Sequence, residues 1–174
     1  TNLSAGYAGK QVIKDISFFV APKTIVGILG ANGCGKTTLI KAIANLLPHT
    51  GSCQLDDTYL ESASPRQLAL LCGYIPQKSG ISIDLTLLDV VLMGFNPKLS
   101  LLQSPTEQMK KEAFDALCSV GLGSRKDDNF QQLSEGQKLL CLLARTLVLK
   151  RRLLLLDEPE SALDFRLRYE TMGL

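Results

Sequence analysis

The chain has 174 residues, 45% of them hydrophobic and 21% charged, a balance that excludes wholesale disorder and suits one domain with its own core. Nineteen Lys and Arg against seventeen Asp and Glu leave +2, too little for the broad positive footprint of a nucleic-acid binder. The longest unbroken apolar run, Leu139 to Ala144, is six residues against about 20 for a membrane span, and no charged-then-apolar leader opens the chain, so a soluble domain is expected. Five scattered cysteines (Cys34, Cys53, Cys72, Cys118, Cys141), with no CxxC pair and a single histidine, argue against a zinc site or a disulfide framework.

In chain order, Val12 to Val20 alternates as a strand and Thr24 to Leu29 is a short apolar run suited to a buried one. The period then changes. Leu39, Ile40, Ile43, Leu46 and Leu47 share one helical face, and Pro48 is expected to end that helix. Leu70 to Ile75 reads as another strand. Two capping boxes follow, Thr86-Leu-Leu-Asp89 and Ser104-Pro-Thr-Glu107, the second with Pro105 at the first helical position. The second helix carries Met109, Ala113, Leu117 and Val120 on one stripe and stops at Gly121. A third box, Ser134-Glu-Gly-Gln137, opens an apolar helix toward Leu149, and Leu153 to Leu156 is a strand ending in Asp157. Strands at both ends around a helical stretch indicate an α/β fold with a mainly parallel sheet.

Between the second strand and the first helix, Gly30-Ala-Asn32-Gly33-Cys34-Gly35-Lys36-Thr37 matches G-x-x-x-x-G-K-[ST] in full. Glycines let successive backbone N–H groups face one anion, and the helix that follows aims its positive end at it. Lys36 is placed to reach the β- and γ-phosphates and the Thr37 hydroxyl to ligate Mg²⁺. A glycine-rich turn with a solvated lysine is the plainer alternative. A chance match in a chain this long is on the order of one in a hundred or rarer. The loop therefore reads as a nucleoside triphosphate site. Cys34 lies inside it, as a loop filler or as a thiol activated by the nest and Lys36.

Asp157 and Glu158 stand at the carboxyl end of a leucine strand, where ligands bind in open α/β sheets. Asp157 is placed to hold Mg²⁺ through water and Glu158 to polarise an attacking water. Two solvated acids at a strand end are the alternative.

Leu133-Ser134-Glu135-Gly136-Gln137 resembles the LSGGQ signature of the ATP-binding cassette (ABC) ATPases, with Glu135 in place of the first glycine. Ser134 there makes a second anion site, a hydroxyl beside a helix N-terminus, although a plain capping box has the same residues. Order and spacing support the resemblance. Tyr-Ile-Pro-Gln77 resembles the Q-loop, Ser161-Ala-Leu-Asp164 the D-loop, and Tyr7 the aromatic that stacks on adenine. It covers essentially the whole chain. It implies a P-loop NTPase core at 1–77 and 131–174 with a helical subdomain inserted at 78–130. It further implies ATP and Mg²⁺ as cofactors, bound by Tyr7, Gly30, Asn32, Gly33, Cys34, Gly35, Lys36, Thr37 and Thr38. Ser134, Gly136, Gln137 and Asp164 would meet the nucleotide of a second ATPase subunit arranged head to tail. Thr37, Gln77 and Asp157 would serve the metal, and Glu158, Gln77 and Lys36 catalysis.

Leu133 lies 56 positions beyond Gln77, room for a small helical insert and no coiled-coil arm, which disfavours the DNA-repair and chromosome relatives. A cytoplasmic transport ATPase on the inner face of the membrane, with separate permease subunits and no nucleic acid, is the reading that remains. The segment Ser82 to Thr86, Val90 to Gly94 and Pro97 to Leu102 is similar to iron-chelate and cobalamin importer ATPases. The alternative is a P-loop ATPase outside transport, or an ATP-binding regulatory module with little turnover. The family's switch histidine has no counterpart, since the only histidine is His49 and the chain stops sixteen residues after Glu158. The chain is therefore expected to be C-terminally incomplete, binding ATP with little hydrolysis.

Overall fold

A computed structural model describes residues 1–77, 80–100 and 102–158. The chain divides into two units, Thr1–Leu68 and Ala69–Leu174.

In the first unit, β1 (Leu3–Tyr7) and β2 (Lys10–Ile16) form an antiparallel hairpin. Ala8 and Gly9 turn the corner, both at positive φ, as a two-residue primed turn requires. After the phosphate-loop segment comes α1 (Lys36–Ile43), then β3 (His49–Thr50), which pairs with β1 to give the order β2-β1-β3. A small hairpin, β4 (Gln54–Leu55) with β5 (Thr58–Tyr59), follows. Leu3, Ala5, Ile13, Leu39 and Ala42 make the core of this unit.

Three expectations change here. The strand expected at Val12 to Val20 is β2, which starts two residues earlier, at Lys10, and stops four residues earlier, at Ile16. Thr24 to Leu29 is not in a strand, and Ile25 and Leu29 are 89% and 91% exposed. Apolar character states a need for burial, whereas a strand exists only where a neighbouring backbone supplies its ladder. The helix after the loop ends at Ile43, five residues before Pro48. Asn45, at φ 54, closes it: Leu46 N bonds Lys41 O at 2.8 Å and Asn45 N bonds Ala42 O at 3.0 Å. That is a Schellman stop with asparagine in the left-handed position usually given to glycine. The Asn45 amide is anchored besides on Leu60 O at 3.1 Å.

Helix α2 (Pro65–Leu71) spans the division between the units and leads straight into β6 (Cys72–Ile75), so the strand expected from Leu70 starts two residues later. Ser64 and Gln67 exchange hydrogen bonds at the start of that helix, a cap not anticipated. In the second unit, α3 (Leu87–Leu92) opens on the Thr86 box as expected. Helix α4 (Glu107–Ser119) begins two residues later than its sequence box: Thr106 is the N-cap, accepting from Met109 N at 3.2 Å. Its stripe faces inward at Ala113 and Leu117 and it ends against Gly121, at φ 77. Helix α5 (Glu135–Leu147) opens on the Ser134 box, and β7 (Leu153–Leu156) runs parallel to β6. Parallel pairing among the described residues is this pair; the other ladders are antiparallel. Leu87, Val90, Phe95, Leu117, Phe130 and Cys141 are the fully buried centre of the unit. No helix among the described residues is long and apolar enough to cross a membrane.

Candidate functional site

The phosphate-loop segment lies entirely in the first unit. Gly33 and Gly35 sit at φ 79 and 104, so the loop takes a path that other residues resist. At Gly35 space is as decisive as angle: a Cβ there would stand 2.8 Å from Ile13 Cγ2, inside the β2 side chain. Gly35 is also the N-cap of α1, and having no side chain it leaves the first turn uncapped by one. The Lys36 ammonium lies within the loop, donating to Gly30 O at 2.9 Å and Ala31 O at 3.0 Å. Asn32 and Cys34 are exposed on the loop, Thr37 is half-buried and Thr38 is buried at 5%. Tyr7 ends β1 and is half exposed. A curled backbone, a cation inside it and a helix N-terminus behind it fit a triphosphate.

The acidic pair lies in the second unit. Parallel register sets Cys72, Gly73, Tyr74 and Ile75 opposite Leu153, Leu154, Leu155 and Leu156. Asp157 N then bonds Ile75 O at 3.0 Å, extending the ladder by one residue. The Asp157 side chain is 4% exposed, and Tyr74 Oη donates to its Oδ2 at 3.3 Å. Glu158 turns out of the strand at φ 50, left-handed backbone that costs a non-glycine residue about 1–2 kcal/mol. Gln77 Nε2 donates to Glu158 Oε2 at 2.6 Å, so Gln77 and the acid meet directly. Both line one cleft with Asp157, Pro76, Lys138 and Leu142. The described residues hold no cluster of three metal-ligating side chains. A lone buried carboxylate fits Mg²⁺, which takes one or two carboxylates and fills its remaining positions with water and phosphate.

Ser134 caps α5 in a reciprocal box: its Oγ accepts from Gln137 N at 3.3 Å and Gln137 Oε1 accepts from Ser134 N at 3.2 Å. The cap uses one lone pair, so the hydroxyl still has a proton to donate. Glu135, which stands where the resembled signature has glycine, is paired with Lys138 at 2.7 Å, one turn further along the helix. Gly136 and Gln137 are half-buried in the first turn. Asp164 lies outside the described residues.

In the sequence Tyr74 stands out only as a neighbour of Gln77, and strand register is the signal that places it beside Asp157. Arg151 was missed altogether. Its guanidinium bonds three carbonyls, Ala69 O at 2.9 Å, Thr146 O at 2.7 Å and Gly94 O at 3.3 Å, and burial beside Arg145 holds it below the usual arginine value.

The family model for ABC transporters matches residues 13–161 of this chain. The chain belongs to the ABC transporter family. Among relatives of this family, it is 39% identical over 172 residues to a Helicobacter pylori protein named "Probable iron chelatin transport ATP-binding protein", covering 95% of this chain and 66% of that one. It is 37% identical over 181 residues to the hemin import ATP-binding protein HmuV of Bordetella parapertussis, covering 99% and 68%. The chain thus spans about two thirds of the length of these curated ABC relatives. Among solved structures, cbiO1 of Clostridium perfringens, part of the ABC transporter complex cbiONQ, is similar with a TM-score of 0.80 at 25% identity. That match covers 99% of this chain and 71% of the other. The α/β P-loop fold of the ABC ATPases is therefore established.

Proposed function

We propose that this chain is the ATP-binding and ATP-hydrolysing subunit of an ABC importer for iron chelates or hemin. The observation that carries the nucleotide site is the Lys36 ammonium held inside a glycine-shaped loop at the N-terminus of α1. The printed roles of the iron-chelatin and hemin relatives support the transport assignment. Residues 1–77 and 131–174 form the nucleotide-binding core in this reading and 78–130 the helical insert. The insert's incoming and outgoing segments are laced together, Phe130 N to Leu85 O at 2.9 Å and Gln131 Nε2 to Ile81 O at 2.6 Å, which supports treating it as one piece.

Lys36 and the loop N–H groups hold the β- and γ-phosphates, Tyr7 lies against the base, and Thr37, Gln77 and Asp157 serve Mg²⁺. The metal supplies charge neutralisation for the phosphoryl oxygens. Glu158 accepts hydrogen bonding from the attacking water, and Gln77, bonded to it here, orients it. Ser134, Gly136 and Gln137, with Asp164, serve the nucleotide of a second ATPase subunit set head to tail. Separate permease subunits carry the membrane passage, and this subunit sits peripherally on the cytoplasmic face.

Co-expression with the cognate permease in proteoliposomes tests this reading. The wild type should bind a fluorescent ATP analogue and drive ATP-dependent uptake of a ferric chelate or hemin. Lys36→Ala should lower nucleotide affinity at least about 100-fold and abolish uptake, since charge-assisted phosphate contacts are the strong ones. Retained affinity would remove the loop from the site, and ATP turnover without permease association would remove transport.

A further inference from the structure

We propose that Tyr74 is a positioning residue for the metal-holding carboxylate, acting through the hydrogen bond from its hydroxyl to Asp157 Oδ2. The inference rests on the role given above to Asp157. Its footing is the strand pair. Tyr74 faces Leu155 across the β6–β7 ladder, and Asp157 lies two residues beyond Leu155. Residues two apart on a strand share a face, so Tyr74 and Asp157 are diagonal neighbours, within reach of an aromatic side chain.

The Asp157 backbone is already held by the bond to Ile75 O. What that bond leaves open is the rotation of the carboxylate about its own side-chain torsion. At 4% exposure the carboxylate has lost most of its water, and a donor that stays in place both compensates it and selects one orientation. Tyr74 Oη is such a donor, carried on the neighbouring strand and not on a loop. An outer partner of this kind orients a metal ligand without touching the metal. Phenylalanine would fill the same space and pack as well. The hydroxyl is the part that packing does not account for.

The test uses the full chain stripped of metal, with a fluorescent ATP analogue bound and Mg²⁺ titrated in. Tyr74→Phe is expected to raise the Mg²⁺ midpoint about tenfold, the lower end of what losing an outer-shell partner costs. Nucleotide affinity in EDTA and the melting temperature should stay near wild type, because the ring is kept. A wild-type midpoint in Tyr74→Phe overturns the proposal whenever Asp157→Asn does shift it. If Asp157→Asn leaves the midpoint unmoved as well, the metal role of Asp157 fails and the proposal with it. In the double variant the shift should equal that of Asp157→Asn alone; an additional tenfold would mean that Tyr74 acts elsewhere, which also overturns it.

Discussion

His49, the histidine that matches no family motif, is bound at both ring nitrogens. Nδ1 lies 2.9 Å from Leu47 O and Nε2 3.2 Å from Glu61 Oε1, two acceptors around one ring. Glu61 also accepts from Cys53 N, so one carboxylate ties the residues after β3 to those after β5. Burial works to raise the Glu61 carboxyl, but its own backbone N–H, that of Cys53 and the His49 ring outweigh it and hold it below the ordinary value of 4.5. A carboxyl held low binds its proton less readily folded than unfolded. Its contribution is therefore present above pH 4.5 and is lost as pH falls through the folded value. Urea midpoints measured from pH 6 to pH 3 should show that loss in the wild type. Glu61→Gln should be less stable at pH 6 with a flatter acid limb; parallel curves would sink the argument. Cys141 behaves differently, its thiol pushed up to about 12 by burial, as expected of a small hydrophobe in a core. The loop residues Gly30 to Thr37 were legible one by one, because phosphate chemistry is local in sequence. Neither the His49–Glu61 pair nor Tyr74 with Asp157 was, since their partners lie 12 and 83 positions apart.

At the scale of elements, the helix starts were the most readable features, and where one was misplaced the reason is chemical. Ser104 and Thr106 both offer a capping hydroxyl, and Pro105 suggested the earlier start. The residue before a proline is pushed toward extended backbone, and Thr106 stays extended too, at φ −74 and ψ 163, so the helix opens only at Glu107. Thr106→Ala should cost about 1 kcal/mol in the urea unfolding of the second unit, whereas Ser104→Ala should cost close to nothing. Equal losses from the two would restore the earlier boundary. Helix α2 escaped notice because its apolar end, Leu70 and Leu71, runs without a break into β6 and reads with it as one strand. The close approach of Gly94 to α5 was equally hidden. Gly94 has no room for a side chain, a Cβ there falling 2.3 Å from Arg145 O, and that closeness depends on residues half a unit away in sequence.

For the whole molecule, the family assignment turns single-chain geometry into an expectation about assembly. Glu158→Gln should keep ATP bound and trap a dimer of the intact ATPase, seen as a mass shift in size-exclusion chromatography with light scattering. An ATP-loaded monomer, or normal turnover, would take Glu158 out of its role. Fold class was legible in the chain because motif order survives without coordinates, but pairing was not. The Thr24 to Leu29 run shows why, being as apolar as a strand and yet left without a ladder. Strand β7 shows the converse. Four identical leucines are interchangeable side chain for side chain, so the leucines alone do not say which of them faces which residue of β6. The alignment is written in what brackets it: Arg152 N on Leu71 O at 3.0 Å at one end, Asp157 N on Ile75 O at the other. A slip of two residues would set two charged residues from one end of the strand opposite β6 in place of two leucines, and would carry both acids about 7 Å along the strand. The polar residues at the ends of this strand thus act as its ruler, and the distance they set is the one the chemistry reads.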